Sequence, residues 1–374
     1  MIQIYMGMRR LSLILIVAVS IIVYLYLTGF YVSYNSYSED YLALYDYDKS
    51  RPLNIDERLV ADTDIYRLYK VYFDSVNYVR VPALFMIPKT VGKAPCIVFL
   101  HGYGGSKEDA LAVIDIAAAE GYAFISIDAV YHGERRVEGR ALYSTDINDT
   151  IRGFIQTVLD LRRAIDYLET RSEIDRERIG YIGGSMGGII GAIFIGVEPR
   201  VKAAALIVAG GNMSLMVRES EHPAIPPIRR YLEEQGISYE ELQSMLDPID
   251  PLNFIARFSP RPIVFHLGRY DRIVPAEAGR QLYIRAGEPK KVYWYDAGHN
   301  LPMELVAVRI LDFMDENLRG RKLMFYESRE FRYMLYIYSP YIALVAFTII
   351  VAMLLVKYHG RIRYMIMKSE QEAS

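Results

Sequence analysis

The feature that most constrains the fold of this chain is the segment 183–187, whose sequence is GGSMG. It follows a short apolar run at 178–182 and precedes a stretch of small and apolar residues, so it predicts a tight turn from a buried strand into a helix. A serine on such a turn has a strained backbone, and Gly183 and Gly187 leave the space that the turn needs to close. The free N–H groups at the start of the helix would face an anion formed beside Ser185. The segment therefore predicts a nucleophilic serine.

Length, charge and cysteine content narrow the class of protein. The chain has 374 residues, of which 52% are hydrophobic and 24% are charged, so it can bury a large core. Its net charge of -2 gives no general attraction to nucleic acid, and no nucleic-acid partner is expected. Cys96 is the only cysteine, which excludes an intrachain disulfide. No metal-ligand spacing of histidines or cysteines occurs, so we expect neither a metal nor another cofactor.

Two apolar runs without charged residues, at 11–32 and 333–356, predict contact with a lipid bilayer. Each is long enough to cross a hydrocarbon core about 30 Å thick as a helix. The first run follows a short basic tail, 1–10, and a cleaved signal peptide is the alternative explanation for it. An uncleaved anchor is favoured, because the run is longer than the usual apolar core of a signal peptide and no small-residue cleavage site follows.

The second apolar run is followed by a basic tail, 357–374. It contains Pro340 and several tyrosines near its start, so its spanning part is expected nearer 341–356, with the tyrosines at the membrane surface. Two spans place both ends of the chain on one side of the membrane. Arg9 and Arg10 precede the first span and acidic residues follow it, which favours a cytoplasmic amino terminus. The predicted location is therefore the cell membrane, with the region between the spans extracytoplasmic.

Between the two spans, residues 48–319 are predicted to form one domain. Runs at 67–74 and 78–87 indicate an antiparallel hairpin. Strands with apolar residues on both faces are then predicted at 96–100, 123–127, 178–182, 203–208, 262–267 and 291–295. The helices predicted between them are 107–120, 147–170 and 276–286. Alternation of strand and helix predicts a doubly wound, mostly parallel α/β sheet.

Residues 211–258 interrupt this alternation. The segment is polar, contains several prolines and has a helical pattern at 228–245. It is too long for an ordinary connection in a compact unit, so it is predicted to form a small helical cap over the carboxyl edge of the sheet. We expect the cap to supply a semi-rigid apolar wall to a substrate pocket, formed by Pro223, Pro226, Pro227, Leu232 and Met245.

A glycine-rich loop at 101–105, with the sequence HGYGG, follows the predicted strand at 96–100. Ligands of such sheets bind at the carboxyl ends of the strands, so this loop is expected at the site. Gly102 and Gly104 have no side chain that would keep a substrate oxygen away from a backbone N–H.

Two further side chains are expected beside the serine. Asp271 and His299 each follow a predicted strand, and with Ser185 they stand in the chain order Ser, Asp, His that this architecture requires. In an alternative, Asp271 is a turn residue or pairs with a neighbouring arginine, and Asp247 or Asp250 in the cap supplies the acid. The histidines expected to lie outside the catalytic set are His101, His132, His222, His266 and His359.

These motifs resemble those of the α/β-hydrolase superfamily, and within it the dienelactone hydrolase, acetyl xylan esterase and prolyl oligopeptidase-like branch. The likeness covers most of the region between the two spans. It implies an α/β-hydrolase fold in which Ser185 attacks an acyl carbonyl, His299 takes and returns the proton, and Asp271 orients the imidazole. It also implies an oxyanion hole formed by the backbone N–H groups of Met186 and Tyr103.

The resemblance implies a membrane-anchored serine hydrolase that cleaves small carboxylic esters through an acyl-enzyme. A serine peptidase or acylaminoacyl hydrolase of the prolyl oligopeptidase-like type is one alternative. Such proteins usually carry a β-propeller, for which the short segment between the first span and the hairpin leaves no room. A catalytically silent hydrolase fold that serves as a membrane binding module is the other alternative. The presence of Ser185, Asp271 and His299 together argues against it.

Overall fold

The computed structural model describes Ser20, residues 41–89 and residues 92–372, with the backbone alone for 361–372. The predicted first span, 11–32, lies outside these residues apart from Ser20. The chain divides into two compact units, Met1–Leu301 and Pro302–Ser374.

Within the described part of the first unit, nine strands form a single sheet. In chain order, β1 to β9 are Asp56–Asp62, Tyr66–Asp74, Arg80–Pro88, Ala94–Leu100, Ala123–Ile127, Ile174–Gly184, Ala203–Ile207, Ile263–Gly268 and Lys290–Tyr295. Their order across the sheet is β1-β2-β3-β5-β4-β6-β7-β8-β9. The neighbouring pairs β1-β2, β2-β3 and β3-β5 are antiparallel. The other neighbouring pairs in this order are parallel. The prediction of a mostly parallel sheet is confirmed.

Helices and turns connect these strands and cover the sheet. The α-helices numbered α1 to α7, all within 41–301 of the first unit, are Ile114–Ala119, Ile147–Glu169, Met186–Val197, Met213–Glu219, Ile225–Gln235, Tyr239–Leu246 and Ala276–Arg285. Every residue of β5, β7 and β8 is buried. Because side chains alternate between the two faces of a strand, both faces of the central sheet must be covered.

Two local predictions differ from the structure, and one strand was not predicted. The segment predicted as one helix at 107–120 is a 3₁₀ turn, Lys107–Ala112, followed by the short helix α1. The cap helix predicted at 228–245 is two helices, because Gly236 adopts a left-handed conformation at the end of α5 and Ser238 begins α6 with a capping box. Strand β1 was not predicted. It is an edge strand exposed along most of its length, so its sequence lacks the alternation of a half-buried strand.

The long connection between β7 and β8 is a helical insertion that contains α4, α5 and α6. We use "the helical insertion" for residues 208–262. It is fastened to the loop after β8: the Ser220 hydroxyl donates to the carbonyl of Ile273 over 2.5 Å, and the Glu221 N–H donates to the carbonyl of Arg272 over 2.7 Å. The insertion and this loop are therefore held together at the carboxyl edge of the sheet.

The second unit consists of two long helices, α8, Met303–Arg319, and α9, Arg329–Glu372. Arg329 joins them through ion pairs to Asp312 at 2.9 Å and Asp315 at 2.8 Å. Helix α9 contains the second predicted span and continues through most of the predicted basic tail. In the part of the chain that the structure describes, Arg329–Gly360 is the one helix long and apolar enough to cross a membrane, with a mean hydropathy of 2.4 in its most apolar stretch.

Candidate active site

Ser185 occupies a turn of the kind that the sequence predicts. Strand β6 ends at Gly184, helix α3 begins at Met186, and Ser185 between them has φ 53° and ψ −121°. A φ in this positive range is strained for a residue with a side chain. The Ser185 N–H donates to the carbonyl of Ile207 over 2.8 Å, which holds the turn against β7.

The glycines that flank the serine are required by backbone that passes close to them. A Cβ on Gly183 would clash with the carbonyl of Gly187, and a Cβ on Gly187 would clash with the carbonyl of Leu100 at the end of β4. A side chain on Gly187 would force the turn away from β4, and one on Gly183 would open the turn itself. The spacing of the glycines therefore follows from the packing of this turn.

Hydrogen bonds join the three predicted side chains into a continuous chain. His299 Nε2 is 3.0 Å from Ser185 Oγ, and His299 Nδ1 is 2.8 Å from Asp271 Oδ2. The Asp271 side chain is 3% exposed and the His299 side chain 22%, so the carboxylate is shielded while the imidazole faces the site. Charge that develops on the imidazole would be stabilised by a carboxylate that water barely reaches.

The loop after β8 holds the Asp271 carboxylate in one orientation. Its Oδ1 accepts the backbone N–H groups of Ile273 at 2.9 Å and Val274 at 3.0 Å, which leaves Oδ2 for His299. The alternative of an arginine pair is wrong: Arg269 pairs with Asp296, and Arg272 pairs with Glu221.

Asp247 and Asp250, the alternative acids, have other partners. Asp250 accepts backbone N–H groups from Asn212, Met213 and Leu252 at 2.8 to 3.1 Å, and so fixes both ends of the segment that holds α4 to α6. Asp247 accepts from Gln243 at 2.9 Å. Both carboxylates thus serve the helical insertion rather than His299.

The glycine-rich loop lies against the serine. An ideal Cβ added to Gly102 would be 3.8 Å from Ser185 Cβ, and Gly104 has φ +80°, which a residue with a side chain rarely adopts. Met186 is the first residue of α3, so its N–H has no acceptor within the helix. The Tyr103 and Met186 N–H groups are thus carried by two backbone segments that meet at Ser185.

His101 fixes the peptide that carries the Tyr103 N–H. Its Nε2 accepts the N–H of Ala129 at 3.1 Å, so the ring proton lies on Nδ1, which donates to the carbonyl of Gly102 at 2.8 Å. Burial lowers the pKa of His101, which keeps the ring neutral. The Gly102 carbonyl and the Tyr103 N–H belong to one planar peptide, so a bond to the first orients the second.

His132 supports the same loop from behind, in the structural position expected of it. Its Nδ1 donates to the carbonyl of Val130 at 2.8 Å, and its ring lies 5.1 Å from His101 and 5.3 Å from Tyr103. Burial lowers the pKa of His132, so this ring is also neutral near pH 7.

A cavity of about 60 Å³ opens beside Ser185. Its wall is largely apolar and includes Ile147, Ile189, Met213, Met216, Val217 and Ile228. The expected wall of Pro223, Pro226, Pro227, Leu232 and Met245 is wrong, since none of these five lines the cavity. Pro226 and Pro227 lie on the solvent face of α5, and Pro223 is exposed just before this helix. Ile225 and Ile228, on the opposite face of α5, are buried and line the cavity.

His222 is a site residue that the sequence analysis set aside as part of the cap. Its side chain lines the cavity, 4.8 Å from the Tyr103 ring between ring centres. Nothing in the local sequence marks it, because its place in the cavity depends on how the helical insertion is held against the loop after β8. No group of three or more His, Cys, Asp or Glu side chains in the described ranges is placed to hold a metal ion.

The sheet order, the serine at the turn after β6, and the acid and histidine after β8 and β9 define an α/β-hydrolase. The resemblance noted from the motifs is confirmed. The chain belongs to the acetyl xylan esterase family, because the model of that family, Acetyl xylan esterase (AXE1), matches residues 31–316.

Individual proteins share the fold or part of the sequence. The solved structure of acetyl xylan esterase 1 from a Thermoanaerobacterium species shares the fold, with a TM-score of 0.66 and 22% identity over 75% of this chain and 93% of that one. Esterase YjfP of Escherichia coli is 24% identical over 225 residues, covering 57% of this chain and 83% of the relative. Acylamino-acid-releasing enzyme 1 of rice is 30% identical over 210 residues, but these cover only 26% of that protein. The peptidase alternative therefore has little support.

Proposed function

We propose that this protein is a serine hydrolase that cleaves carboxylic esters through an acyl-enzyme. The observation that carries the proposal is the hydrogen-bonded chain from Asp271 through His299 to Ser185, at the carboxyl edge of the sheet. Membership of the acetyl xylan esterase family supports the same reaction class.

In the proposed reaction, Ser185 Oγ attacks the ester carbonyl while His299 Nε2 takes its proton. The oxyanion that forms accepts hydrogen bonds from the N–H groups of Met186 and Tyr103. The tetrahedral intermediate then releases the alcohol, which receives the proton from His299, and an acyl group stays on Ser185. Water, deprotonated by His299, attacks the acyl-enzyme and releases the carboxylic acid and the free serine. Asp271 stabilises the imidazolium during both halves of the reaction.

Short acyl groups are the expected substrates, because the cavity beside Ser185 has a volume of only about 60 Å³ and a largely apolar wall. With the full chain and a series of p-nitrophenyl esters, kcat/KM is expected to fall about 10- to 100-fold between butanoate and octanoate, as extra methylenes meet a filled wall. Rates that rise steadily toward long-chain esters would contradict this size limit. Labelling of the same preparation with a fluorophosphonate tests the serine mechanism independently of substrate choice.

We also propose that the hydrolase unit is anchored by two membrane helices and faces the outside of the cell. The most apolar part of α9 has no buried residue in the structure, which supports this helix as the second anchor. The first anchor, 11–32, rests on the sequence. Arg9 and Arg10 before the first run support a cytoplasmic amino terminus.

Protease added to intact cells is expected to digest the region between the two spans and to spare a tag fused after Ser374. Both chain ends would lie in the cytoplasm, where the added protease cannot reach them. Permeabilised cells serve as the control, in which the tag must also be lost. Protection of the region between the spans in intact cells would reverse the proposed orientation.

A further inference from the structure

His222 places a hydrogen-bond donor in the cavity beside Ser185. The residue lies in the turn between α4 and α5, and its ring stands at 85° to the Tyr103 ring and at 83° to the Tyr143 ring. Most of the surrounding cavity wall is apolar. The His222 ring is partly buried, and a bound molecule can supply a hydrogen-bond partner to it.

The hydrogen bond at one ring nitrogen identifies the donor at the other. The backbone N–H of Ala224 donates to His222 Nδ1 over 3.2 Å, so Nδ1 carries no proton. The neutral ring then carries its proton on Nε2, which has no hydrogen-bond partner among the described residues. Burial and the nearby His299 lower the pKa of His222, which favours this neutral form.

Contacts with the acid loop fix the position of this donor. The His222 N–H donates to Ser220 Oγ at 3.0 Å, and the Ser220 hydroxyl donates to the carbonyl of Ile273. Ile273 in turn donates its N–H to Asp271 Oδ1. Three consecutive hydrogen bonds therefore connect the backbone of His222 to the carboxylate that orients His299, so the ring is pre-positioned relative to the reacting groups.

The position of the His222 ring points to one part of the substrate. In the proposed reaction the leaving alcohol takes its proton from His299, so the alcohol part of the ester lies beside that imidazole. His222 interacts electrostatically with His299 and contacts Tyr103 of the oxyanion loop. The His222 ring therefore lies beside both the imidazole and the oxyanion loop, where the alcohol part of the ester is expected to leave.

We propose that His222 is a substrate-binding residue whose Nε2–H donates a hydrogen bond to an oxygen on the alcohol part of the ester. The proposal rests on the proposed ester hydrolysis and adds a substrate class to it: esters of alcohols that carry a second oxygen close to the ester bond.

The test compares 2-methoxyethyl acetate with butyl acetate, which have nearly the same shape and differ by one ether oxygen in the alcohol. Hydrolysis by the full chain is followed as released acid at constant pH. In His222→Phe the ratio of kcat/KM for the two esters is expected to fall about three- to tenfold from the wild-type ratio, because one neutral hydrogen bond is lost. His222→Asn is expected to show the same fall, since its amide can still accept from Ala224 but does not reach the position of Nε2.

His222→Gln, whose amide can donate at the Nε2 position, is expected to restore most of the wild-type ratio. A purely structural role would slow both esters equally and leave the ratio unchanged, and that result would overturn the proposal. Glu234→Gln, an exposed change on α5, is the matched control and should keep both rates.

A second ester pair separates the two parts of the substrate. p-Nitrophenyl methoxyacetate and p-nitrophenyl butanoate differ by the same ether oxygen, now in the acyl chain. The proposal predicts that their ratio is unaffected by His222→Phe, and a loss confined to this pair would overturn the assignment to the alcohol. Failure of the wild-type chain to hydrolyse any ester or to react with a fluorophosphonate would instead refute the proposed function, and this proposal with it.

Discussion

Replacement of Ser185 by alanine is expected to abolish fluorophosphonate labelling and to lower ester turnover about a millionfold. The change removes the attacking oxygen. It leaves Gly183 and Gly187 in place, and the smaller side chain fits the same turn, so the fold should persist. Labelling, turnover of p-nitrophenyl acetate and the thermal unfolding midpoint of the full chain together check this expectation.

Ser244→Ala provides the matched control. Ser244 is an exposed residue of α6, where its hydroxyl donates to the carbonyl of Glu240. This variant should label and turn over like the wild type. A Ser185→Ala protein that still reacts with the fluorophosphonate would refute the assignment of the nucleophile.

Asp271→Asn is expected to slow ester turnover by about ten-thousandfold with little change in the fold. The position of Oδ1 accepts two backbone N–H groups, so the amide oxygen of asparagine must take that place. The amide NH₂ then faces His299 Nδ1 and donates to it, which moves the imidazole proton to Nε2. In that tautomer Nε2 cannot accept the proton of Ser185. Single-turnover and steady-state rates measured with p-nitrophenyl acetate test the effect.

Asp296→Asn is the control for charge near the histidine. The Asp296 side chain is 81% exposed and pairs with Arg269, so its neutralisation should change turnover by less than about twofold. Near-normal turnover in Asp271→Asn, together with a collapse in Asp247→Asn, would instead assign the acid to the helical insertion.

The central strands could be predicted from the sequence because burial on both faces gives each of them a continuous apolar run. Strand β5 is observed at Ala123–Ile127, as predicted, and β4 and β9 differ only at one end. Edge strand β1 could not be predicted in this way, since solvent on both sides removes the pattern. The break between α5 and α6 was missed because the helical periodicity extends across Gly236, whose left-handed conformation ends α5.

The sequence predicted the three candidate site residues and their order along the chain, but it did not predict which residues line the cavity. Turn chemistry and strand ends pointed to Ser185, Asp271 and His299, and the hydrogen bonds between them agree with that order. The cavity wall and His222 depend on how the helical insertion packs. That packing is set by contacts such as Ser220 with Ile273, which no local pattern encodes.

The bond between Ser220 and Ile273 limits how this protein can change its substrate range. The same short loop holds the helical insertion on one side and the Asp271 carboxylate on the other. A mutation that shifts the insertion to admit a larger ester would also pull on the acid that orients His299. Breadth of substrate and speed of turnover are therefore expected to trade off in any laboratory evolution of the insertion. Variants that widen the cavity at Ile189 on α3, outside the helical insertion, are expected to avoid this conflict.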